Sequence, residues 1–86
     1  MVQKTIQITN PTGLHTRPGS DFVKTAKEFT CTITLTKGEK TVDAKSLLKI
    51  MKSDIVQNDT ITLTCTGGDE TEALETLVTY LESLHE

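Results

Sequence analysis

Two hydrophobic periods alternate along this chain, and the points where one replaces the other restrict the fold more than any other feature. Ile6 and Ile8, with Val2 and Lys4 before them, alternate with polar residues and predict a strand over about residues 2–9. Asn10-Pro11-Thr12-Gly13 then forms a turn cluster. Pro18, Phe22, Val23, Ala26 and Phe29 follow helical spacing, which predicts a helix over about 16–27 with one apolar face. Pro18 fits only the first turn of that helix, where its missing N–H costs little. The period returns to two at Cys31, Ile33 and Leu35, interleaved with Thr30, Thr32, Thr34 and Thr36.

Lys37-Gly38-Glu39-Lys40 supplies a hairpin turn, with Gly38 at the central position that calls for positive φ, and a short strand follows near Thr41-Val42-Asp43. Ser46 is a good N-cap for a short helix, Leu47-Leu48-Lys49-Ile50-Met51. Four of those five residues are apolar, and so short a helix cannot hide them all on one side. Some of Leu47, Leu48 and Met51 are therefore expected at the surface, as a small apolar patch suited to a partner. Asn58-Asp59 turns the chain, and Ile61, Leu63 and Cys65 alternate in a further strand that ends at Gly67-Gly68. Asp69 with Glu72 makes a capping-box-like start to a last helix striped by Leu74, Leu77, Val78, Leu81 and Leu84, with Glu70, Glu75 and Glu82 on its other face. The order is β-α-β-β-α-β-α. It implies an α+β fold in which helices cover one face of a four-stranded antiparallel sheet and the threonines line the other, facing water.

A chain of 86 residues suffices for one domain with a modest core. It holds no apolar run long enough to span a membrane, and Met1-Val2-Gln3-Lys4-Thr5 lacks the apolar stretch of a signal peptide, so a cytoplasmic location is expected. Cys31 and Cys65 belong to no Cys-x-x-Cys pair; they are expected to be buried free thiols, with no metal or cofactor implied. Only two phenylalanines and one tyrosine occur, and the sheet pattern offers no exposed aromatics for stacking bases, which argues against nucleic acid as a partner. Charge is polarised. Residues 14–52 carry eight basic and four acidic side chains, whereas 53–86 carry eight acidic ones and no lysine or arginine. The first half is thus suited to steering an acidic partner.

The run Gly13-Leu14-His15-Thr16-Arg17-Pro18 places a histidine at the mouth of the first helix. A helix start presents unpaired N–H groups and a partial positive charge. Both disfavour imidazolium, so a neutral ring with a depressed pKa is expected at His15. The same groups favour an incoming phosphoryl dianion, with Thr16 and Arg17 as backbone donors. Pro18 cannot donate, but it fixes the first turn in advance. Arg17 adds a guanidinium whose fork matches phosphate oxygens. A carrier must release its cargo, so His15 and Arg17 are expected to be exposed. A surface or capping histidine would share this spacing. His85, near the C-terminus, reads as solvent-facing. No carboxylate-histidine-serine set accompanies either histidine, so hydrolase chemistry has no support.

Gly13-Leu14-His15-Thr16-Arg17-Pro18, followed by Ala44-Lys45-Ser46-Leu47-Leu48-Lys49, resembles the HPr family of histidine-containing phosphocarriers of the bacterial phosphoenolpyruvate:sugar phosphotransferase system. The resemblance spans essentially the whole chain. It implies an open-faced β-sandwich of βαββαβα order, with sheet order 1-4-2-3. It also implies a carrier without turnover of its own, which takes a phosphoryl group from enzyme I on Nδ1 of His15 and gives it to enzyme IIA domains of sugar transporters. The partner surface implied comprises Thr16, Arg17, Ser20, Lys24, Lys27, Lys45, Ser46, Leu47, Leu48, Lys49 and Met51. Ser46 resembles a regulatory serine served by an ATP-dependent kinase and a phosphatase, with a transcriptional regulator as a further partner. A monomer is expected.

Gly19-Ser20 departs from a family pattern that begins this pair with alanine, and a mid-helix glycine should cost about 1 kcal/mol relative to alanine. Ser53-Asp54 replaces a common Leu-Gly, and Asp54 can take the left-handed conformation needed there. The strand order makes the Cys31 and Cys65 strands neighbours, so the two thiols are expected close together. Other roles on the same fold are a nitrogen-branch paralogue and a binding-only regulator. His15 speaks against the second, because such regulators lack it. A small-ligand regulatory domain is a further class that composition leaves open.

Overall fold

A computed structural model describes residues 1–14 and 16–84. The elements are β1 (Val2–Gln7), α1 (Thr16–Ala26), β2 (Thr32–Lys37), β3 (Lys40–Asp43), α2 (Leu47–Lys52), β4 (Thr60–Thr66) and α3 (Glu70–Glu82). The four strands form one antiparallel sheet in the order β1-β4-β2-β3. This is the βαββαβα open-faced sandwich that the sequence implies.

Alternation decides which side of the sheet is dry. Ile6, Ile33, Leu35, Ile61, Leu63 and Cys65 point one way and are buried, together with Phe22, Val23 and Ala26 of α1, Ile50 of α2, and Ala73, Leu77, Val78 and Leu81 of α3. On the other face the threonines pair across strands. Thr5 and Thr62 share a hydrogen bond of 2.9 Å, and Thr36 and Thr41 one of 3.0 Å. Such cross-strand hydroxyl pairs help fix register on a wet face. β1 is an edge strand, and Lys4 stands on it in phase with the buried Ile6. An inward-pointing charge at an edge discourages pairing with a further strand.

Three expectations change. The first strand ends at Gln7 rather than near 9. Its pairing continues only as single bonds, Ile8 N–H to the Asp59 carbonyl at 2.8 Å and Asn58 N–H to the Ile8 carbonyl at 2.6 Å. Asn58 supports that turn with φ +75°.

Asp69 and Glu72 do not form a capping box. Asp69 is the N-cap residue of α3, but its side chain makes no cap bond. Its two carboxylate oxygens instead accept the amides of Thr30 and Cys31, each at 2.9 Å, and so tie α3 to the entry of β2. Glu70, read as a surface acid, accepts the Gly67 amide at 3.0 Å and pairs with the N-terminal ammonium at 2.9 Å.

Gly19 is the third. A β-carbon there would lie 2.3 Å from the Leu14 carbonyl oxygen. The glycine therefore permits a close approach at the helix entry, a reason for it that helix propensity does not contain.

Candidate functional site

The loop that leads into α1 is held from several sides. Asn10 is buried; its side-chain amide donates to the Gly13 carbonyl at 2.8 Å, and its carbonyl accepts the Gly13 amide at 3.2 Å. Gly13 has φ +62°, and the Leu14 amide donates to the Ile55 carbonyl at 3.0 Å. Leu14 is buried in the core. The loop is thus pinned to the segment that follows α2 before the helix begins at Thr16.

His15 and His85 lie outside the described residues, so the expectations of an exposed, uncharged ring at His15 and a solvent-facing His85 are not addressed there. The neighbours of His15 are described. Pro18 is buried in the first turn of α1, and its carbonyl accepts the Tyr80 hydroxyl at 3.1 Å. That bond and the tilted ring pair of Phe22 and Tyr80 fasten the helix start to α3. Arg17 is exposed, as expected. One of its ionic contacts is long, Nε to an Asp21 carboxylate oxygen at 3.9 Å, with both side chains more than half exposed. Such a pair restrains the guanidinium little. The first turn of α1 carries no acidic residue, so its own side chains leave the positive end of the helix dipole unneutralised. Ser20 and Lys24 are exposed on the same helix, and Lys27 is exposed just past its end.

The second part of the expected surface is α2. Ser46 is its N-cap, and its Oγ accepts the Lys49 amide at 3.4 Å. Ile50 alone of the helix is buried; Leu48 is 65% exposed, Leu47 37% and Met51 39%. The apolar patch is therefore present. Lys49 is exposed beside it. Lys45, also expected on the partner surface, is half-buried, and its Nζ donates to the Phe29 carbonyl at 2.6 Å. Asp54 follows the helix with φ +54°, the left-handed conformation expected.

Val56 is a further exposed apolar residue near the α1 entry, one that the sequence reading missed. It is 38% exposed, and its backbone lies against Gly13. It thereby brings the segment after α2 against the loop before α1. The signal was the Ile55-Val56 pair, since two adjacent β-branched residues in an extended segment cannot both face inward. Ile55 is the buried one.

Away from this surface, Cys31 and Cys65 are both buried free thiols. Burial pushes both upward, the Cys65 thiol to about 11, with the Cys31 thiol beside it adding to the effect. Among the described residues, no group of three histidine, cysteine or acidic side chains is placed to hold a metal ion, and no helix is long and apolar enough to cross a membrane.

Comparison with known proteins bears on this geometry. A family model described as the PTS HPr component phosphorylation site matches residues 2–83. The phosphocarrier protein HPr of Buchnera aphidicola is 45% identical over 84 residues, covering 98% of this chain and 99% of its own. A crystal structure of HPr from Thermoanaerobacter tengcongensis superposes with a TM-score of 0.95 at 43% identity, covering 96% of this chain and 93% of that one. The crystal structure of Crh from Bacillus subtilis, described as a dimer with a swapping domain, gives a TM-score of 0.76 at 39% identity, covering 95% and 94%. A dimeric relative this similar leaves the expectation of a monomer without support. The match over nearly the full length, in both sequence and fold, shows that this chain belongs to the HPr family of phosphocarrier proteins of the phosphotransferase system that serves sugar transport.

Proposed function

We propose that His15 is the phosphoryl acceptor of this carrier: its Nδ1 takes the group from phospho-enzyme I and yields it to enzyme IIA domains of sugar transporters in the cytoplasm. The observation that carries this reading is the setting of the next residues. In sequence His15 directly precedes the first residue of α1, whose first turn carries no acid, with an exposed Arg17 two positions on. The helix start disfavours an imidazolium and favours a phosphoryl dianion, so the unloaded ring is neutral and nucleophilic. Thr16 and Arg17 supply backbone N–H groups to the phosphoryl oxygens, and the Arg17 side chain swings between phosphate and partner.

Leu47, Leu48 and Met51 form the apolar centre of the docking surface, and Arg17, Ser20, Lys24, Lys27 and Lys49 its polar and basic rim. Such a surface suits brief complexes with acidic partners. A phosphate on Ser46, added by a serine kinase, would place negative charge on that rim and weaken docking. The test is incubation with enzyme I and labelled phosphoenolpyruvate. An acid-labile, base-stable label is expected on the wild type and none on His15→Ala. Label retained by that variant overturns the assignment.

A further inference from the structure

A basic cleft, sharing Lys49 with the rim of the docking surface, lies on the flank of the molecule, where the β2–β3 hairpin meets the C-terminal end of α2. Two clefts adjoin there. The larger, of about 480 Å³, is lined by Lys37, Gly38, Glu39, Lys40, Ser53 and Asp54. The smaller, of about 230 Å³, is lined by Lys40, Val42, Lys49, Lys52 and Ser53 and has no carboxylate in its wall. Lys40 and Ser53 line both.

The four lysines of this seam are used differently. Lys37 is committed to the fold: its Nζ pairs with the Asp59 carboxylate at 2.8 Å and donates to the Asp54 carbonyl at 2.5 Å. Lys40, Lys49 and Lys52 have exposed side chains that make no such bond among the described residues. Lys49 and Lys52 stand in the last turn of α2, where cations favour the negative end of the helix. That accounts for two of the three. Lys40 belongs to a different element and gains nothing from the dipole of α2. Three like charges around one concavity repel each other unless an anion shares them. The Ser53 hydroxyl already donates to the Ile50 carbonyl at 2.6 Å, so lysines alone would provide the cationic contacts.

We infer that the cleft between Lys40, Lys49 and Lys52 binds a small multivalent phosphate anion, with Val42 as its apolar floor. The inference is independent of the role of His15. Binding is electrostatic and therefore falls with ionic strength.

The probes are sodium pyrophosphate, sodium orthophosphate and sodium citrate, titrated into ¹⁵N-labelled protein and followed by amide chemical shifts, with sodium chloride at matched ionic strength as control. Pyrophosphate is expected to give saturable shifts confined to residues 40–42 and 49–53. Lys40→Gln should weaken that binding by up to about fivefold, and Lys40→Gln with Lys52→Gln should abolish saturation while the rest of the spectrum stays native. Lys24→Gln, on α1, should leave it unchanged. Shifts reproduced by sodium chloride, or binding that survives the double variant, overturn the site. Citrate bound as tightly as pyrophosphate overturns the phosphate assignment.

Discussion

Gly13 packs against Ile55 so closely that a β-carbon would stand 2.2 Å from the Ile55 carbonyl oxygen and 2.7 Å from the Cα of Val56. The same Ile55 oxygen accepts the Leu14 amide. Two segments far apart in sequence, the entry to α1 and the exit from α2, are thereby locked into one surface. The proposed docking surface, which spans both segments, would hold a fixed spacing because of this contact.

Replacement of that glycine is expected to be costly. Gly13→Ala must carry a side chain at φ +62° and displace backbone, at about 2 kcal/mol or more. Urea unfolding would measure the loss. The variant should also transfer phosphoryl groups more slowly than its residual folded fraction explains. Unchanged stability would show that the two segments are not in register as described.

Acid should loosen the fold through Asp69, Asp59 and Glu70. Hydrogen bonds from the amides of Thr30 and Cys31 hold the Asp69 carboxyl below its usual range. Lys37 does the same for Asp59, and the Gly67 amide for Glu70. A depressed folded-state pKa contributes stability above the unfolded value and loses it as pH falls through the folded one. The decline should therefore begin near pH 4, roughly the ordinary carboxylate pKa, and continue below it. Asp69→Asn should flatten that decline in unfolding curves measured between about pH 5 and pH 2. An equal slope in wild type and variant would contradict the role given to Asp69.

The helical and strand periods made most of this architecture legible in the sequence, because burial on one face imposes them locally. The exposed Leu47, Leu48 and Met51 were legible for the same reason: a helix too short to bury four apolar residues must show some of them. Asp69 was not, because its partners Thr30 and Cys31 stand in another element, and a local cap is all that its spacing suggests. The Lys45 ammonium on the Phe29 carbonyl, the approach of Leu14 to Gly19, and Val56 beside Gly13 likewise depend on tertiary placement. The Arg17 setting was readable from motif and helix start together.

Leu48→Glu should separate docking from folding. Leu48 is the most exposed apolar side chain of α2, so stability should change by no more than about 0.5 kcal/mol. Loss of an apolar anchor and gain of a repelling charge should raise the Km of enzyme I for this carrier about tenfold. An unchanged Km would remove the patch from the docking surface.

The thiols should be slow. With Cys65 pushed to about 11, roughly two units above an ordinary thiol, its thiolate population at pH 8 falls about a hundredfold, and burial blocks access further. Iodoacetamide should modify neither cysteine promptly in the native protein and both in urea. Rapid native modification would contradict the burial described.

The central claim concerns one ring nitrogen, and phosphorus–nitrogen coupling reads it directly. The protein, labelled with ¹⁵N in its histidine rings and charged by enzyme I and phosphoenolpyruvate, should show a ³¹P resonance coupled to Nδ1 of His15 alone. Coupling to Nε2 of that ring, to His85, or to no histidine nitrogen would contradict the account.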